Sequence, residues 1–434
     1  MIKLKITLLT LFIYIFASMF TGCEPQLPRP FDVPEATDDI SPVKLTIAMW
    51  EEDSDYLQKV IDEFKKNNPN YSFDLLIYPS QEYHESKLVK IFTSDVDIDL
   101  FATSNTSEFY SFVSKDVVLS IDSFINNENF SVKGYGPLYE GIKINDKIYG
   151  LPYMRSVYAL FYNKDLFDDQ DMPYPENSMT TGSYKLLAKK MTIDPKEEDD
   201  DKIFGANIHT DSIYWMGHGI QTGSTIVDKN LSVFKDALQL RMDMEEDGSI
   251  MEWTEQIDTE YDYNRAFKKG KFAMHVMKDS HIAELREGKF NDDFYFDWDV
   301  VNPPRPVGAE ENASWGMPSI ISIAKKSKNP EEAWKFLRFF AGKKGATILA
   351  ENRAFPGYMD KDVKNAYLKD YNLSPENIAI IFDQIVYVEY PPVEDIDLVR
   401  KTIYEEEAEE VYLGDQEVEG AIDDIEERIM EEIQ

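Results

Sequence analysis

Apolar residues in the first hundred positions of the chain alternate between β-prone runs and stretches with helical spacing. Residues 44–50 form an apolar run typical of a buried strand, and residues 56–64 place apolar side chains on one helix face. A strand at 73–78, a helix at 83–92 and a strand at 98–102 continue the same order. Regular alternation of strand and helix predicts an α/β fold with a parallel sheet.

Polar and aromatic residues follow the first and the third of these strands. They are Trp50 at the end of the first strand with Glu51 and Asp53 after it, and Thr103, Ser104 and Asn105 after the third. Ligands of open α/β sheets bind where loops leave the carboxyl ends of the strands. We therefore predict that these six residues contribute to a ligand site. Core packing is the alternative for Trp50, and loop capping or solvent exposure is the alternative for the polar residues.

A second amphipathic pattern lies in the acidic C-terminal segment. Val418, Ile422, Ile425 and Ile429 recur at the spacing of one helix face. Asp and Glu dominate the positions between them, so the segment is predicted to be a helix that docks on the folded body through its apolar face.

The N-terminal residues have the layout of a secretory signal. Lys3 and Lys5 precede an apolar stretch at 8–20, which is shorter than the ~20 residues that a helix needs to cross a bilayer. Cys23 follows directly, and its position resembles the lipobox of bacterial lipoproteins, in which such a cysteine carries a lipid and becomes the mature N-terminus. Phe20 departs from the leucine usual at that position of a lipobox. A plain signal peptide over residues 1–22 is the alternative.

A spacer separates this signal from the folded body. Residues 24–43 contain five prolines among polar residues, so 23–43 is predicted to be an extended, lipid-anchored tether. Cys23 is the only cysteine of the chain, and the folded body therefore has no intramolecular disulfide. The remaining chain of roughly 400 residues exceeds the size of a single hydrophobic core, so two lobes are expected.

Charge and composition exclude several classes of partner. The formal net charge is −36, which repels the phosphate backbone of nucleic acids and the anionic surface of a membrane. The lipid on Cys23 is therefore the expected membrane contact. A hydrophobic fraction of 43% is sufficient for large cores and argues against disorder.

No catalytic or metal-binding pattern is visible in the sequence. The five histidines form no HExxH motif, and G-x-S-x-G, Walker and Rossmann motifs are absent. The acidic run at 197–201 lacks the alternating spacing of a calcium loop and is predicted to be a solvated loop. We expect no cofactor and no metal, and a binding protein rather than an enzyme.

Several segments, in a fixed order, resemble one known family. They are 147–153 (KIYGLPY), 160–167 (LFYNKDLF), 266–274 (AFKKGKFAM), 314–337 and 353–356. Their motifs are similar to those of the extracellular solute-binding proteins of ABC importers, the large family that includes maltose-binding protein. The resemblance spans roughly 44–430. Residues 177–184 depart from it, because they lack the tryptophan that begins a helix in the family.

The resemblance implies a two-lobed periplasmic-binding-protein fold of type II, in which two α/β lobes joined by a hinge close over a solute. It places lobe 1 at 44–154 plus 299–343, and lobe 2 at 155–298 plus 344–434. A monomer is expected.

The resemblance also suggests further ligand contacts. They are Tyr153 and Arg155 at the crossing between lobes, Trp215, Asp279, Trp315 and Arg353. Flat aromatic rings suit sugar rings, although each tryptophan could equally belong to the core. Arg155 could bind a carboxylate or a sugar diol, or could pair with a carboxylate of the hinge. An acidic sugar becomes a hypothesis if Arg155 faces the cleft.

The sequence thus predicts a lipid-anchored solute-binding component of an ABC importer on the outer face of the cell membrane or in the periplasm. It would capture a sugar or oligosaccharide by lobe closure and deliver it to the permease. The alternatives are a binding protein for another solute, a sensory receptor, and a surface enzyme that processes carbohydrate.

Overall fold

The computed structural model describes residues 41–83, 97–195, 202–291, 293–369 and 377–432. The predicted signal peptide, Cys23 and the tether up to residue 40 lie outside the described residues. Most of the helix predicted at 83–92 and the acidic run at 197–201 lie outside them too. The folded body begins at Val43 and continues to the C-terminal end.

Ten strands are present in the described part of the chain. In chain order they are β1 Val43–Trp50, β2 Tyr71–Tyr78, β3 Leu100–Thr103, β4 Gly150–Arg155, β5 Tyr158–Asn163, β6 Met274–Lys278, β7 Trp298–Val301, β8 Ala313–Gly316, β9 Pro318–Ile323 and β10 Ile385–Val388.

The helices surround these strands. They are α1 Ser54–Asn67, α2 Ser80–Glu82, α3 Thr106–Ser114, α4 Asp122–Glu128, α5 Pro137–Gly141, α6 Lys164–Asp169, α7 Thr181–Met191, α8 Ile213–Ile220, α9 Ser232–Glu246, α10 Trp253–Asp258, α11 Tyr263–Lys268, α12 Ser280–Phe290, α13 Pro330–Phe340, α14 Lys343–Glu351, α15 Lys361–Leu368, α16 Ala379–Phe382, α17 Ile396–Leu398, α18 Tyr404–Tyr412 and α19 Val418–Glu432. Short 3-10 turns occupy Glu51–Asp53 and Lys133–Tyr135, and a π-helical turn occupies Val399–Ile403.

The first sheet has the strand order β2-β1-β3-β9-β4. β1 runs parallel to β2 and β3, as the alternation of strand and helix predicts. β9 lies antiparallel between β3 and β4, although it comes more than 150 residues after β4 in the chain. This sheet is therefore completed by a strand from a distant part of the sequence.

A second sheet has the antiparallel order β6-β5-β7, and β8 pairs with β10 in parallel. The predicted lobe boundaries differ from this pairing. β7 belongs to the second sheet, although residues 299–343 were assigned to lobe 1, and the side chain of Trp315 in β8 packs in the second core. α14, assigned to lobe 2, packs against α1 and α13 on the first side. The chain thus passes from one sheet to the other at positions that its hydrophobic pattern does not predict.

Separate cores lie behind the two sheets. The first joins β1, β3, β4 and β9 to α1 and α13, whose residues Phe336, Leu337 and Phe340 are fully buried. The second includes α8, α9, α18 and α19. All four apolar positions of the predicted C-terminal helix face are buried in α19, so that prediction is confirmed. Burying one such side chain contributes about 1.5–3 kcal/mol.

We call the part of the molecule around the first sheet the first side and the part around the second sheet the second side. Three chain segments lie next to each other where these two sides meet. β4 leads into β5 through Ser156, β8 leads into β9 through Met317, and the segment around Phe355 runs beside β4. Backbone bonds join them: Ser156 N–H donates to Met317 O at 2.9 Å, and Arg155 N–H donates to Phe355 O at 2.9 Å. We call this region the crossing. Gly316 lies so close that a Cβ there would be 1.9 Å from Ser156 O.

Candidate functional site

A cleft of about 490 Å³ opens beside the crossing and has walls from both sides of the molecule. We call it the interlobe cleft. Tyr56 and Ser104, which follow β1 and β3, line it from the first side. Lys278, Asp279 and Arg286, at the end of β6 and in α12, line it from the second side. Its position beyond the ends of β1 and β3 agrees with the general rule for ligand sites in α/β sheets.

Arg155 lies at the end of β4, where the crossing borders the cleft. The residue is only 6% exposed. Its side chain makes one hydrogen bond among the described residues, a long one of 3.4 Å from Nη2 to Ile381 O, and its Nε has no partner there. Burial lowers the pKa of Arg155 to about 10, and the nearby charge of Asp279 opposes this shift. The guanidinium is therefore buried without the hydrogen bonds that a buried cation requires.

Asp279 fixes the end of β6 to the crossing. Its Oδ1 accepts from the N–H of Val157 at 2.8 Å, and its own N–H donates to Val157 O at 2.8 Å. Burial raises the pKa of this carboxyl to about 6, while the Val157 N–H and the charge of Arg155 favour the ionised form. Asp279 thus both holds the crossing together and presents a carboxyl group to the cleft.

Four of the predicted site residues are brought together around this cleft: Ser104, Arg155, Asp279 and Arg353. The Ser104 N–H donates to Glu108 Oε2 at 2.8 Å at the start of α3. Arg353 donates to the backbone carbonyls of Tyr367 and Lys369. Its guanidinium is thereby held at the C-terminal end of α15.

Three further predicted residues form a buried group next to the end of β1. The Tyr153 hydroxyl donates to Asp53 Oδ2 at 2.6 Å. Trp50 packs edge-on against Tyr83, with ring centroids 5.6 Å apart, and lies 6.3 Å from Tyr153. Only 6% of Trp50 is exposed, so the core alternative describes its environment in this structure.

Trp215 and Trp315 lie in the second core rather than in the interlobe cleft. Both are fully buried. Trp315 stacks on Tyr158 at a centroid distance of 4.7 Å, and a Cβ at Gly217 would lie 2.1 Å from the Trp315 ring. Neither ring offers a face to a ligand here, which corrects their predicted placement. The sequence shows an aromatic residue beside glycine but not the direction of its side chain.

The remaining predicted residues have local structural roles. Thr103 is fully buried in β3. Asn105 caps α3, because its side-chain oxygen accepts from the Glu108 N–H at 2.8 Å. Glu51 is exposed, and its carbonyl accepts from the Ser54 hydroxyl at 2.6 Å. Asn105 and Glu51 thus match the alternatives of loop capping and solvent exposure, whereas the buried position of Thr103 was not among the alternatives.

A run of aromatic rings near the cleft was missed by the sequence reasoning. Tyr214 meets Tyr158 edge-on at 5.4 Å and stacks on His209 at 4.6 Å, and His209 stacks on Tyr263 at 3.8 Å. Tyr214, His209 and Tyr263 are partly exposed, whereas Tyr158 is fully buried. The sequence signal was the pair Tyr214-Trp215, of which the first residue, not the second, points to the surface.

Lys278 links this aromatic run to the cleft. Its Nζ lies 5.5 Å from the centre of the Tyr158 ring and 3.7 Å from Glu389 Oε2. Glu389 is 4% exposed, and burial raises its pKa, whereas the charge of Lys278 opposes this rise. Lys278 thus lies between the cleft and the rings of His209, Tyr214 and Tyr263, which are not among the described residues that line the cleft.

Contacts between α3 and the segment after β10 also join the two sides. Thr106, fully buried, donates its hydroxyl to Tyr390 O at 2.7 Å, and Ser107 donates to Asp397 Oδ2 at 2.6 Å. Arg400 supports both partners, because it pairs with Asp397 at 2.8 Å and covers the Tyr390 ring at 4.8 Å.

A second cavity of about 560 Å³ lies next to α15 and the turn at Lys133–Tyr135. Arg155 borders this cavity as well, together with Lys133, Lys361 and Lys364. Arg155 is its one described lining residue at a strand end of the first sheet, whereas the interlobe cleft is also lined by Tyr56 and Ser104, which follow β1 and β3. The interlobe cleft is therefore the better candidate for a solute site.

Neither a metal centre nor a membrane helix is found in the part of the chain that the structure describes. No group of three or more His, Cys, Asp or Glu residues there could hold a metal ion. No helix there is long and apolar enough to cross a bilayer.

The sequence profile of the bacterial extracellular solute-binding proteins matches residues 50–347. The chain belongs to this family. Because the family consists of binding proteins, the expectation that the chain is not an enzyme is confirmed. A binding protein of Brucella abortus (strain 2308) is 24% identical over 362 residues, which cover 82% of this chain and 84% of the relative.

Solved structures of similar proteins have the same fold. The sugar transporter of Rhizobium etli in an open conformation has a TM-score of 0.81 at 22% identity, covering 89% of this chain and 99% of that one. The sugar-binding protein MalE of Xanthomonas citri has a TM-score of 0.72 at 18% identity (90% and 97%). The substrate-binding protein of Listeria monocytogenes with cycloalternan has a TM-score of 0.66 at 22% identity (90% and 98%). The predicted two-lobed α/β fold is confirmed.

Proposed function

We propose that this solute-binding protein serves an ABC importer and captures a sugar or oligosaccharide in the interlobe cleft. The observation that carries the proposal is the cleft itself, which has polar and charged walls from both sides of a crossing. Relatives of the same fold support the choice of solute, because the proteins from Rhizobium etli, Listeria monocytogenes and Xanthomonas citri are named for sugar transport, cycloalternan binding and sugar binding.

The surroundings of the cleft have the chemistry that a sugar needs. Sugar rings combine apolar faces with hydroxyl groups, so they bind to flat aromatic rings beside convergent hydrogen-bonding groups. His209, Tyr214 and Tyr263 supply the rings, and Arg155 and Asp279 supply polar atoms at the crossing. Among the residues predicted from sequence, Ser104, Arg155, Asp279 and Arg353 are proposed as ligand contacts.

Lobe closure would couple binding to transport. A ligand favours the closed state only as far as it makes additional contacts there, and the walls of this cleft come from opposite sides of the crossing. The closed, loaded protein would then be recognised by the membrane permease. We also propose that the protein acts as a monomer, held outside the cell membrane by a lipid on Cys23 and by the tether at 23–43.

A thermal-shift screen against mono- and oligosaccharides tests the proposal. A cognate sugar should raise the melting temperature, because saturation at 100 times Kd stabilises the folded state by about 2.7 kcal/mol. The same sugars should be recovered unchanged after prolonged incubation. Turnover of a glycan, or the absence of any stabilising sugar in a broad panel, would contradict the proposal.

A further inference from the structure

The charge of the interlobe cleft is opposite to that of the chain. The whole sequence has 45 Lys and Arg against 81 Asp and Glu. Among the residues that the structure describes, the lining of the cleft contains four basic residues, Arg155, Lys278, Arg286 and Arg353, and one acidic residue, Asp279. A concave, partly buried site concentrates the field of its charges. The cleft is therefore a local attractor for anions on a protein that otherwise repels them.

Arg155 has no ion-pair partner and only one long hydrogen bond among the described residues. No carboxylate among the described residues lies within 4.0 Å of its guanidinium, and its Nε has no hydrogen bond there although the residue is 6% exposed. A buried, unpaired cation is costly to a folded protein. A ligand carboxylate in the cleft would supply the partner that the described residues do not.

The other basic residues differ from Arg155 in their surroundings. Lys278 Nζ forms an ion pair with Glu389 Oε2 at 3.7 Å, and the Arg353 guanidinium donates to two backbone carbonyls. They contribute to the field of the cleft, while Arg155 has unused donors. The planar guanidinium fork matches the two oxygens of a carboxylate.

We propose that the solute of the interlobe cleft carries a carboxylate and that Arg155 binds it, so that the protein selects an acidic sugar of the uronic acid class. This inference rests on the proposed function and narrows it from sugars in general to sugar acids. Asp279 is the one carboxyl group among the described residues of the lining, and its charge acts on Arg155, so it disfavours a second negative charge beside it.

Isothermal titration of the unmodified protein tests the inference with matched ligands. Each uronic acid or oligouronide is compared with the neutral sugar of the same stereochemistry and with its own methyl ester, which keeps the shape but loses the charge. We expect the acid to bind at least tenfold more tightly than both, with an advantage that falls as salt rises. Equal or tighter binding of the neutral sugar would overturn the inference but leave the proposed function intact. If no sugar of either kind binds, the proposed function fails as well.

Charge-removing variants locate the site. Arg155→Met should abolish the preference for the acid, and Arg155→Lys should retain part of it, so that a folding defect in the first variant does not decide the outcome. Arg286→Met should weaken binding of the acid. Lys361→Met removes the same charge from the second cavity and should leave binding unchanged. Loss of the preference in Lys361→Met alone would place the anion in that cavity and refute the assignment.

Discussion

Replacement of Gly316 by alanine should destabilise the protein strongly, because the crossing has no room for a methyl group. A Cβ at this position would lie 1.9 Å from the carbonyl oxygen of Ser156, whereas ordinary contact begins near 3.4 Å. The two segments would have to separate by about 1.5 Å to accept it. Backbone atoms on both sides form the contact, so no side chain can rotate away to relieve it.

The cost follows from the bonds that such a separation would strain. Ser156 N–H donates to Met317 O at 2.9 Å, and Glu389 N–H donates to Gly316 O at 2.8 Å. Each bond contributes about 1 kcal/mol, and overpacking itself costs about 1–3 kcal/mol. We therefore expect a loss of about 3–5 kcal/mol in the free energy of unfolding, measured by urea denaturation with circular dichroism.

Gly182→Ala is the matched control. Gly182 lies in the first turn of α7, and the nearest atom to a Cβ there is the Thr180 hydroxyl oxygen at 4.0 Å. Alanine should stabilise this helix by about 0.5–1 kcal/mol. If Gly316→Ala were as stable as the unmodified protein while Gly182→Ala gave its expected gain, the close packing of the crossing would be refuted.

Three further predictions concern the aromatic run, a buried histidine and the N-terminus. Tyr214→Ala should weaken sugar binding at least tenfold, whereas Tyr214→Phe should retain most of the affinity. Equal affinities of the two variants in a binding titration would exclude stacking of the sugar on this ring. Burial lowers the pKa of His218 from its ordinary 6.5 to about 4, so the unfolded chain takes up a proton at this residue before the native state does. Stability should therefore fall as pH drops from 6.5 towards 4, by up to about 3 kcal/mol from this group, and His218→Gln should unfold in urea with a smaller dependence on pH in that range. Cys23→Ala should move the protein from the membrane fraction to the soluble fraction; retention in the membrane would contradict a lipid anchor.

Local patterns predicted the local parts of the fold well. The alternation in residues 44–102 corresponds to β1, α1, β2 and β3, and the apolar face of α19 is buried as its spacing indicates. These features depend on neighbours within a few positions of each other. The place of β9 between β3 and β4 depends on partners far away in the sequence, and no periodicity marks it.

The same distinction applies to the site. Arg155 was recognised because its segment resembles a known crossing, and the structure places it at one. Tyr214 and Trp215 are adjacent in α8, so their side chains point about 100° apart around the helix axis. The sequence identified an aromatic position there but could not say which of the two rings faces the core. That choice depends on Trp315 and Tyr404, which pack against the helix from distant segments.

The late arrival of β9 sets an order for folding. Until residues 318–323 emerge, β3 and β4 have no strand between them, and the first sheet cannot assemble around its interior. The chain between β4 and β9 is long, so bringing these two strands together costs conformational entropy before their native contacts compensate for it. Because the chain belongs to a family of extracellular binding proteins, its first sheet can be completed only after residues 318–323 have reached the far side of the membrane.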